Sequence, residues 1–230
     1  MFAAIDITQI GLWILYISIP ILVIYFLYLL VTKAFNYMGF SSIEAVIIIF
    51  VSIIFGFDIY IMGVGISNIH LFEYNNWMVG INMGGAIIPI LLSIYLVIKN
   101  KLQLKLVAIG IIIVSIITYL VTRVDINNGI VSSPPFFLFP AIAASIISVF
   151  LLWKNFKKAA PLAYISGTMG VLIGADFFHL WELLSTPIDT QINAIIGGAN
   201  VFDMIYITGI LAVILDGILM FRQRSKEGFS

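Results

Sequence analysis

Seven long apolar stretches follow one another almost without interruption along the 230-residue chain, and they constrain its fold more than any other feature. Each is about long enough to cross the ~30 Å hydrocarbon core of a bilayer as a helix. Backbone polar groups inside lipid must bond within their own segment, so such stretches form helices rather than open strands. We therefore predict an all-α, polytopic membrane protein with seven transmembrane helices, at 11–32, 43–67, 79–98, 105–123, 134–153, 161–184 and 195–221.

The composition agrees with a membrane protein. Hydrophobic residues make up 62% of the chain and charged residues 10%, and the mean hydropathy is +1.17. A soluble domain carries about 25% charged residues. We therefore expect a single integral membrane domain over residues 1–230, a multi-pass protein of the cell membrane with the lipid bilayer as its partner. The formal net charge is zero, so we predict no nucleic-acid partner. The sequence is compatible with both a monomer and a homo-oligomer.

The basic residues predict the orientation of the helices. Of the 11 lysines and arginines, only Arg123 follows an even-numbered helix. Because cytoplasmic loops carry the excess of lysine and arginine, this pattern predicts the N-terminus outside and the C-terminus inside. In the outer loop between the second and third helices, Asn75 and Asn76 lie between β-prone flanks, which is compatible with a short hairpin and equally with an irregular loop.

Two parts of the chain resemble each other. Gly56-Phe57-Asp58 in the second helix has a counterpart in Gly174-Ala175-Asp176 of the sixth, and each precedes a Gly-Gly-Ala segment, at 84–86 and 197–199. Helices one to three and five to seven run in the same directions. The pattern predicts a parallel 3+1+3 repeat of the kind found in transporters, with helix four as the linker. Chance is the alternative, because glycine, alanine and isoleucine are abundant here.

Three aspartates are the strongest functional candidates. By residue count, Asp58, Asp176 and Asp203 each lie about 12 Å below the outer surface. Ionisable groups inside a membrane are costly and usually functional, and neighbouring carboxylates repel unless one is protonated. Asn82 and Asn200 lie beside the glycine pairs and can supply polar ligands. We therefore predict an outward-side acidic site between helices two, six and seven that binds an ion or a substrate.

Other polar residues of the helices give weaker signals. His179 and Glu182 follow Asp176 at helical spacing, and we include His179 in the predicted ion- or substrate-binding site. The Asp-x-x-His-x-x-Glu pattern contains side chains that can bind a metal ion. Such residues more often lie at a solvent-exposed helix end, so we predict no metal. No helix has an interior lysine for retinal or a histidine pair for haem, and we predict no cofactor. Asp216 is expected at the inner interface, pairing toward Arg222.

Four segments of the chain together carry a family resemblance. They are Gly80 to Leu96 (beginning Gly-Ile-Asn-Met-Gly-Gly-Ala), Ala163 to Asp176 (ending Gly-Val-Leu-Ile-Gly-Ala-Asp), Ile196 to Asp203 (Ile-Gly-Gly-Ala-Asn-Val-Phe-Asp) and Thr208 to Val213. These segments resemble a bacterial and archaeal membrane family catalogued as a domain of unknown function, number 1614. The likeness covers roughly residues 65 to 216 and implies that Asp176 and Asp203 are family features, without implying an activity. In place of the family's glycine-rich segment before the second aspartate, this chain has Asn200-Val201.

The predicted site is compatible with three functions. A small proton- or cation-coupled transporter is favoured by the repeat, the glycine-rich helix starts and the third acid. The alternative is an intramembrane aspartyl protease-like hydrolase, in which Asp176 and Asp203 share one proton and activate water as catalytic residues. A further alternative is a non-catalytic membrane scaffold subunit. The sequence does not decide whether the chain is an enzyme.

Overall fold

In a computed structural model of the protein, the described residues are 7–57, 59–61, 64–126, 129–153, 155–198 and 204–220. They are mostly helical, and seven helices lie in the predicted order. These are α1 (Ile7–Tyr37), α2 (Ser42–Gly56), α3 (a π-helical turn Met83–Ile87 and then Ile88–Lys99), α4 (Leu104–Val121), α5 (a 3-10 turn Phe136–Leu138 and then Phe139–Leu151), α6 (Phe156–Val171, a π-helical turn Leu172–Phe177 and then Phe178–Ser185) and α7 (Met204–Leu219).

The lengths of these helices fall into two groups. By length and composition, α1, α4 and α6 can each cross a membrane. The other four helices of the described chain are apolar but shorter, between 10 and 17 residues. A multi-pass membrane protein is thus supported, whereas seven complete crossings stay a prediction.

The all-α prediction was wrong in one respect, because three small sheets accompany the helices. The strands are β1 (Tyr60–Ile61), β2 (Val64–Gly65), β3 (Asn68–Tyr74), β4 (Trp77–Asn82), β5 (Thr122–Asp125), β6 (Gly129–Ser132) and β7 (Ile192–Ile196). The predicted helix 43–67 ends at Gly56, and Phe57 is already extended. The Ser67 side chain accepts a hydrogen bond from the Ile59 N–H, which holds this segment outside the helix. An apolar run alone does not distinguish a helix from a strand.

Of the two alternatives for the loop around Asn75 and Asn76, the structure has the hairpin. β3 and β4 pair antiparallel around Asn75 and Asn76, which have φ values of 47° and 65°. Asparagine tolerates this left-handed conformation better than most residues, and two such residues in a row match the right-handed twist of the two strands.

The predicted seventh helix begins later than residue 195. β7 occupies Ile192–Ile196 and pairs parallel with β4, from Trp77 opposite Ile192 to Ile81 opposite Ile196. The ring nitrogen of Trp77, a buried residue, donates a hydrogen bond to the Thr186 carbonyl at 3.1 Å. The resulting three-stranded sheet covers one end of the helices and connects the segments before α3 and α7.

The first part of α6 lies at the centre of the bundle. All its residues from Ala159 to Ile165 are buried, and α6 contacts α3, α4, α5 and α7. The absence of side chains at Gly170 and Gly174 permits close contact with Val114 and Ser115 of α4. This central helix carries Asp176 to the junction between the bundle and the sheet.

Most of α1 stands apart from the bundle. The large apolar side chains from Leu12 to Leu29 are exposed around the whole helix, whereas Ala34, Phe35 and Met38 are buried against the other helices. Lipid tails are as apolar as these side chains, so their exposure is unfavourable in water but not in a bilayer.

Candidate functional site

Asp176 lies where the central helix is wider than an ordinary α-helix. The turn Leu172–Phe177 is π-helical, a rare form that is frequent at functional sites. The Asp176 carboxylate is half-buried and accepts a hydrogen bond from the Gly197 N–H at 2.6 Å. Hydrogen bonds to a carboxylate are short and strong, so this contact joins α6 to the end of β7.

The glycine pair after β7 shapes the backbone that meets Asp176. Gly197 and Gly198 have φ values of 88° and 62°, which residues with a side chain rarely adopt. A Cβ at Gly197 would lie 2.5 Å from the Cβ of Ala86, and a Cβ at Gly85 would collide with the Gly197 carbonyl oxygen. The two Gly-Gly-Ala segments of the sequence therefore contact each other at this point.

Asn82 holds the first glycine pair in a similar way. Its side chain is fully buried, and its amide oxygen accepts a hydrogen bond from the Gly85 N–H at 2.7 Å. Its amide nitrogen donates to the Asn68 side chain at 2.8 Å. Each glycine pair thus has one N–H bound by a polar side chain, Asn82 for the first and Asp176 for the second.

Three of the predicted site residues, Asp58, Asn200 and Asp203, lie outside the described residues. The described part of α2 ends at Gly56, and α7 is described from Met204, so the depth that we counted along these helices has no support. The shared proton between Asp176 and Asp203 accordingly stays a prediction.

His179 and Asp176 lie on the same helix but bind different parts of the protein. His179 is buried, its Nε2 lies 3.1 Å from the Thr122 hydroxyl, and its ring stacks on Tyr119 with centroids 4.6 Å apart. Its Nδ1 lies 3.0 Å from the carboxylate of the exposed Glu182. These contacts join the C-terminal part of α6 to α4 and β5, whereas Asp176 faces the turn after β7.

The hydrogen bonds around His179 define its chemistry. The Thr122 hydroxyl donates to the Thr118 carbonyl at 2.7 Å, which leaves its oxygen to accept a proton from Nε2. The Glu182 carboxylate accepts a hydrogen bond when Nδ1 carries the ring proton, so the tautomer decides which of the two contacts the ring donates. Among the described residues, no group of three or more histidine, aspartate and glutamate side chains is arranged to hold a metal ion.

Asp216 is a buried residue of α7 that we had expected at the interface. It has no exposed surface, and the Ser148 hydroxyl of α5, which also lies 2.8 Å from the Ser145 carbonyl oxygen, lies 3.1 Å from its Oδ1. Its predicted partner Arg222 lies outside the described residues. The spacing along α7 gives one signal for the position of Asp216. Gly209 lies against α6, and Asp216 comes seven residues later, so the two residues share one face of α7.

A family model described as Protein of unknown function (DUF1614) matches residues 67–215, which is more than half of the chain. The chain belongs to this family. The matched range of the DUF1614 model includes both glycine pairs, Asn82 and Asp176, and thus the whole described part of the site. No curated protein and no solved structure matches the sequence.

Proposed function

We propose that all seven helices cross the membrane as one domain over residues 1–230, with the N-terminus outside and the C-terminus inside. The short helix α2 spans about 22 Å at 1.5 Å per residue, less than the ~30 Å core. Irregular backbone is tolerated at membrane depth where protein covers it. The buried strand β4 shows such cover, since Trp77 and Val79 are enclosed by protein.

Contacts at the end of the bundle away from the sheet support this orientation. The Lys99 ammonium donates to the Gly39 carbonyl, and the Lys158 ammonium donates to the Lys101 carbonyl. The turns after α1 and α3 and the start of α6 therefore lie together at one end. This end carries the basic residues, as expected for the cytoplasmic side.

We further propose that the protein is a small proton- or cation-coupled transporter whose outer ion site includes Asp176. The contact between Asp176 and the Gly197 N–H is the observation that carries this proposal. An ionisable group thus lies beside the π-helical turn of α6 and the non-helical glycine pair after β7. Many secondary transporters bind ions and substrates where non-helical backbone lines a cavity. Asn82 belongs to the same site through Gly85, and Asp58, Asn200 and Asp203 are its proposed further members, with His179 at its rim.

The proposed 3+1+3 repeat also favours transport. β4 and β7 run parallel, and each leads into a Gly-Gly-Ala segment. Parallel repeats relate two halves of a transporter by an axis along the membrane normal, which would make two neighbouring strands run in the same direction.

Purified protein in liposomes that enclose an ion-sensitive dye provides the test. Parallel samples carry a proton, sodium or potassium gradient, each with a dye for that ion, and potassium with valinomycin sets the membrane potential in the proton and sodium samples only. We expect wild-type protein to conduct at least one of these cations and Asp176→Asn to lose the flux. Asparagine keeps an oxygen that can accept from Gly197 but cannot ionise. The matched control is Asp189→Asn, since Asp189 is exposed, and it should transport normally.

Other outcomes would favour the other two functions. Wild-type protein that shows no flux under all three gradients would contradict the transporter. If the same liposomes cleaved a transmembrane peptide and Asp176→Asn abolished the cleavage, the aspartyl protease would take its place. A scaffold subunit would show neither activity, and Asp176→Asn would change only its stability.

A further inference from the structure

A cavity of about 120 Å³ lies at the basic end of the bundle, between the beginning of α4, the end of α5 and the beginning of α6. Four leucine side chains form much of its wall, and three polar residues, Gln103, Asn155 and Lys158, line it as well. Ligand-binding cavities commonly combine an apolar wall with a few polar groups. This cavity therefore suits a ligand that has both an apolar and a polar part.

The polar side of the cavity is positively charged. The Lys158 ammonium donates a hydrogen bond to the Lys101 carbonyl at 3.2 Å. An ammonium carries three donors, so this contact leaves further donors for a ligand. Lys105 and Lys157 lie in the first turns of α4 and α6, and neither turn contains an acidic residue. The ligand that this charge favours is an anion.

An exposed apolar stripe runs along α4 from the cavity toward the middle of the bundle. Leu106 lines the cavity, and Ile109, Ile113 and Ile116 follow it on the same face of the helix. The three isoleucines are 42%, 39% and 51% exposed. In a bilayer, side chains of this kind face acyl chains. A molecule whose polar group occupies the cavity therefore has an apolar surface next to it for an acyl chain.

Trp153 indicates the depth of the cavity in the membrane. It lies between the cavity residues Leu152 and Asn155 in the chain and is 59% exposed. Tryptophan is enriched at the boundary between hydrocarbon and water, and lysine is enriched on the cytoplasmic side of that boundary. The lysines around Trp153 agree with this placement. The cavity therefore lies at the level of the lipid headgroups.

We propose that this cavity binds one anionic phospholipid, with its phosphate at Lys158 and an acyl chain along the isoleucines of α4. Basic pockets between transmembrane helices on the cytoplasmic side bind anionic headgroups. Charge and shape together select this ligand: a zwitterionic lipid has the acyl chains without the net charge, and free phosphate has the charge without the acyl chains. The site is separate from Asp176 and requires only that this end of the bundle lies at a membrane surface.

Native mass spectrometry of the full chain in a neutral detergent tests the site, because it counts the lipid molecules bound to each protein. With phosphatidylglycerol as the probe, we expect one molecule to bind about fivefold more tightly than phosphatidylcholine. This factor corresponds to about 1 kcal/mol per lysine near an anionic lipid. Lys158→Gln should lose this difference in affinity, whereas Lys158→Arg, which keeps the charge, should retain it.

Gln103→Glu provides a second variant of nearly the same shape. The new carboxylate would lie in the cavity, pair with Lys158 and repel the phosphate, so the preference for phosphatidylglycerol should disappear. The matched controls are Gln191→Glu and Lys33→Gln, which change exposed residues that do not line the cavity. Both controls should bind the lipid like wild type. Gel filtration and circular dichroism establish that each variant is folded.

The outcomes separate the lipid from other ligands. Equal affinity for the two lipids, or wild-type affinity in either Lys158→Gln or Gln103→Glu, would overturn the proposal. Displacement of the lipid by inorganic phosphate would overturn it in favour of a free anion. A dimer that forms without lipid and is lost in Gln103→Glu would overturn it in favour of a second copy of the chain. If the liposomes show no flux but the lipid preference is present and depends on Lys158 and Gln103, the transporter function fails and the lipid site stands.

Discussion

Replacing Gly197 by alanine tests whether the contact between the two glycine pairs stabilises the fold. Gly197 has a φ of 88°, and the new Cβ would lie 2.5 Å from the Ala86 Cβ and 2.8 Å from the Ala86 nitrogen. The left-handed conformation costs a residue with a side chain about 1–2 kcal/mol. Overpacking against the Ala86 backbone adds about 1–3 kcal/mol. We therefore expect Gly197→Ala to lower the free energy of unfolding by about 3 kcal/mol.

Gly129→Ala is the matched control for this experiment. Gly129 has a φ of 75°, but no atom lies within 4 Å of the position that its Cβ would occupy. This variant should lose only the conformational part, about 1–2 kcal/mol. The difference between the two variants therefore measures the steric contact with Ala86.

Thermal unfolding in detergent micelles, followed by tryptophan fluorescence, provides the measurement. At about 2–4 °C per kcal/mol for a chain of this size, Gly197→Ala should unfold roughly 6–12 °C below wild type. Gly129→Ala, at about 1–2 kcal/mol, should unfold only about 2–8 °C below wild type. Equal losses in the two variants would refute the close contact at Gly197.

Two further substitutions test how buried polar groups and helix ends stabilise the protein. Asn82→Leu should cost about 2–4 kcal/mol, because the Gly85 N–H and the Asn68 side chain lose their partner inside the protein; unchanged thermal stability would contradict this network. Ser41→Ala should cost about 1 kcal/mol, because Ser41 and Glu44 form the capping box at the start of α2; an equal loss in Ser41→Thr, which keeps the hydroxyl, would argue against capping.

The helices were predictable because their signal is local. An apolar stretch of about 20 residues in lipid has few alternatives to a helix, whatever the rest of the chain does. The hairpin was one of two alternatives for its loop, because Asn75 and Asn76 readily adopt the required conformation but do not by themselves exclude an irregular loop. The helical segments depend on neighbouring residues alone, so the sequence determined them.

The pairing of β4 with β7 was decided by the tertiary structure. Trp77 and Ile192 lie far apart in the chain, and no local pattern indicates that their strands are neighbours. The tertiary structure also decided where α2 ends. The stretch after Gly56 is apolar enough to continue the helix, but strands of the small sheets follow instead. The contact of Asp176 with Gly197 depends on both, since the parallel strand brings the glycine pair to α6.

Asp216 shows the same limit for a buried carboxylate. Its place on α7 follows from the sequence, but its burial depends on which face of α7 meets α5 and α6. Small residues where α7 meets α5 and α6 permit several rotations of α7 about its own axis, because its surface is almost uniformly apolar. The packing of the helices selects one of these rotations. The sequence by itself determined that ionisable groups lie within long apolar stretches. Only the packing of the helices decided that Ser148 contacts Asp216, because close contact between helices depends on the shapes of both partners.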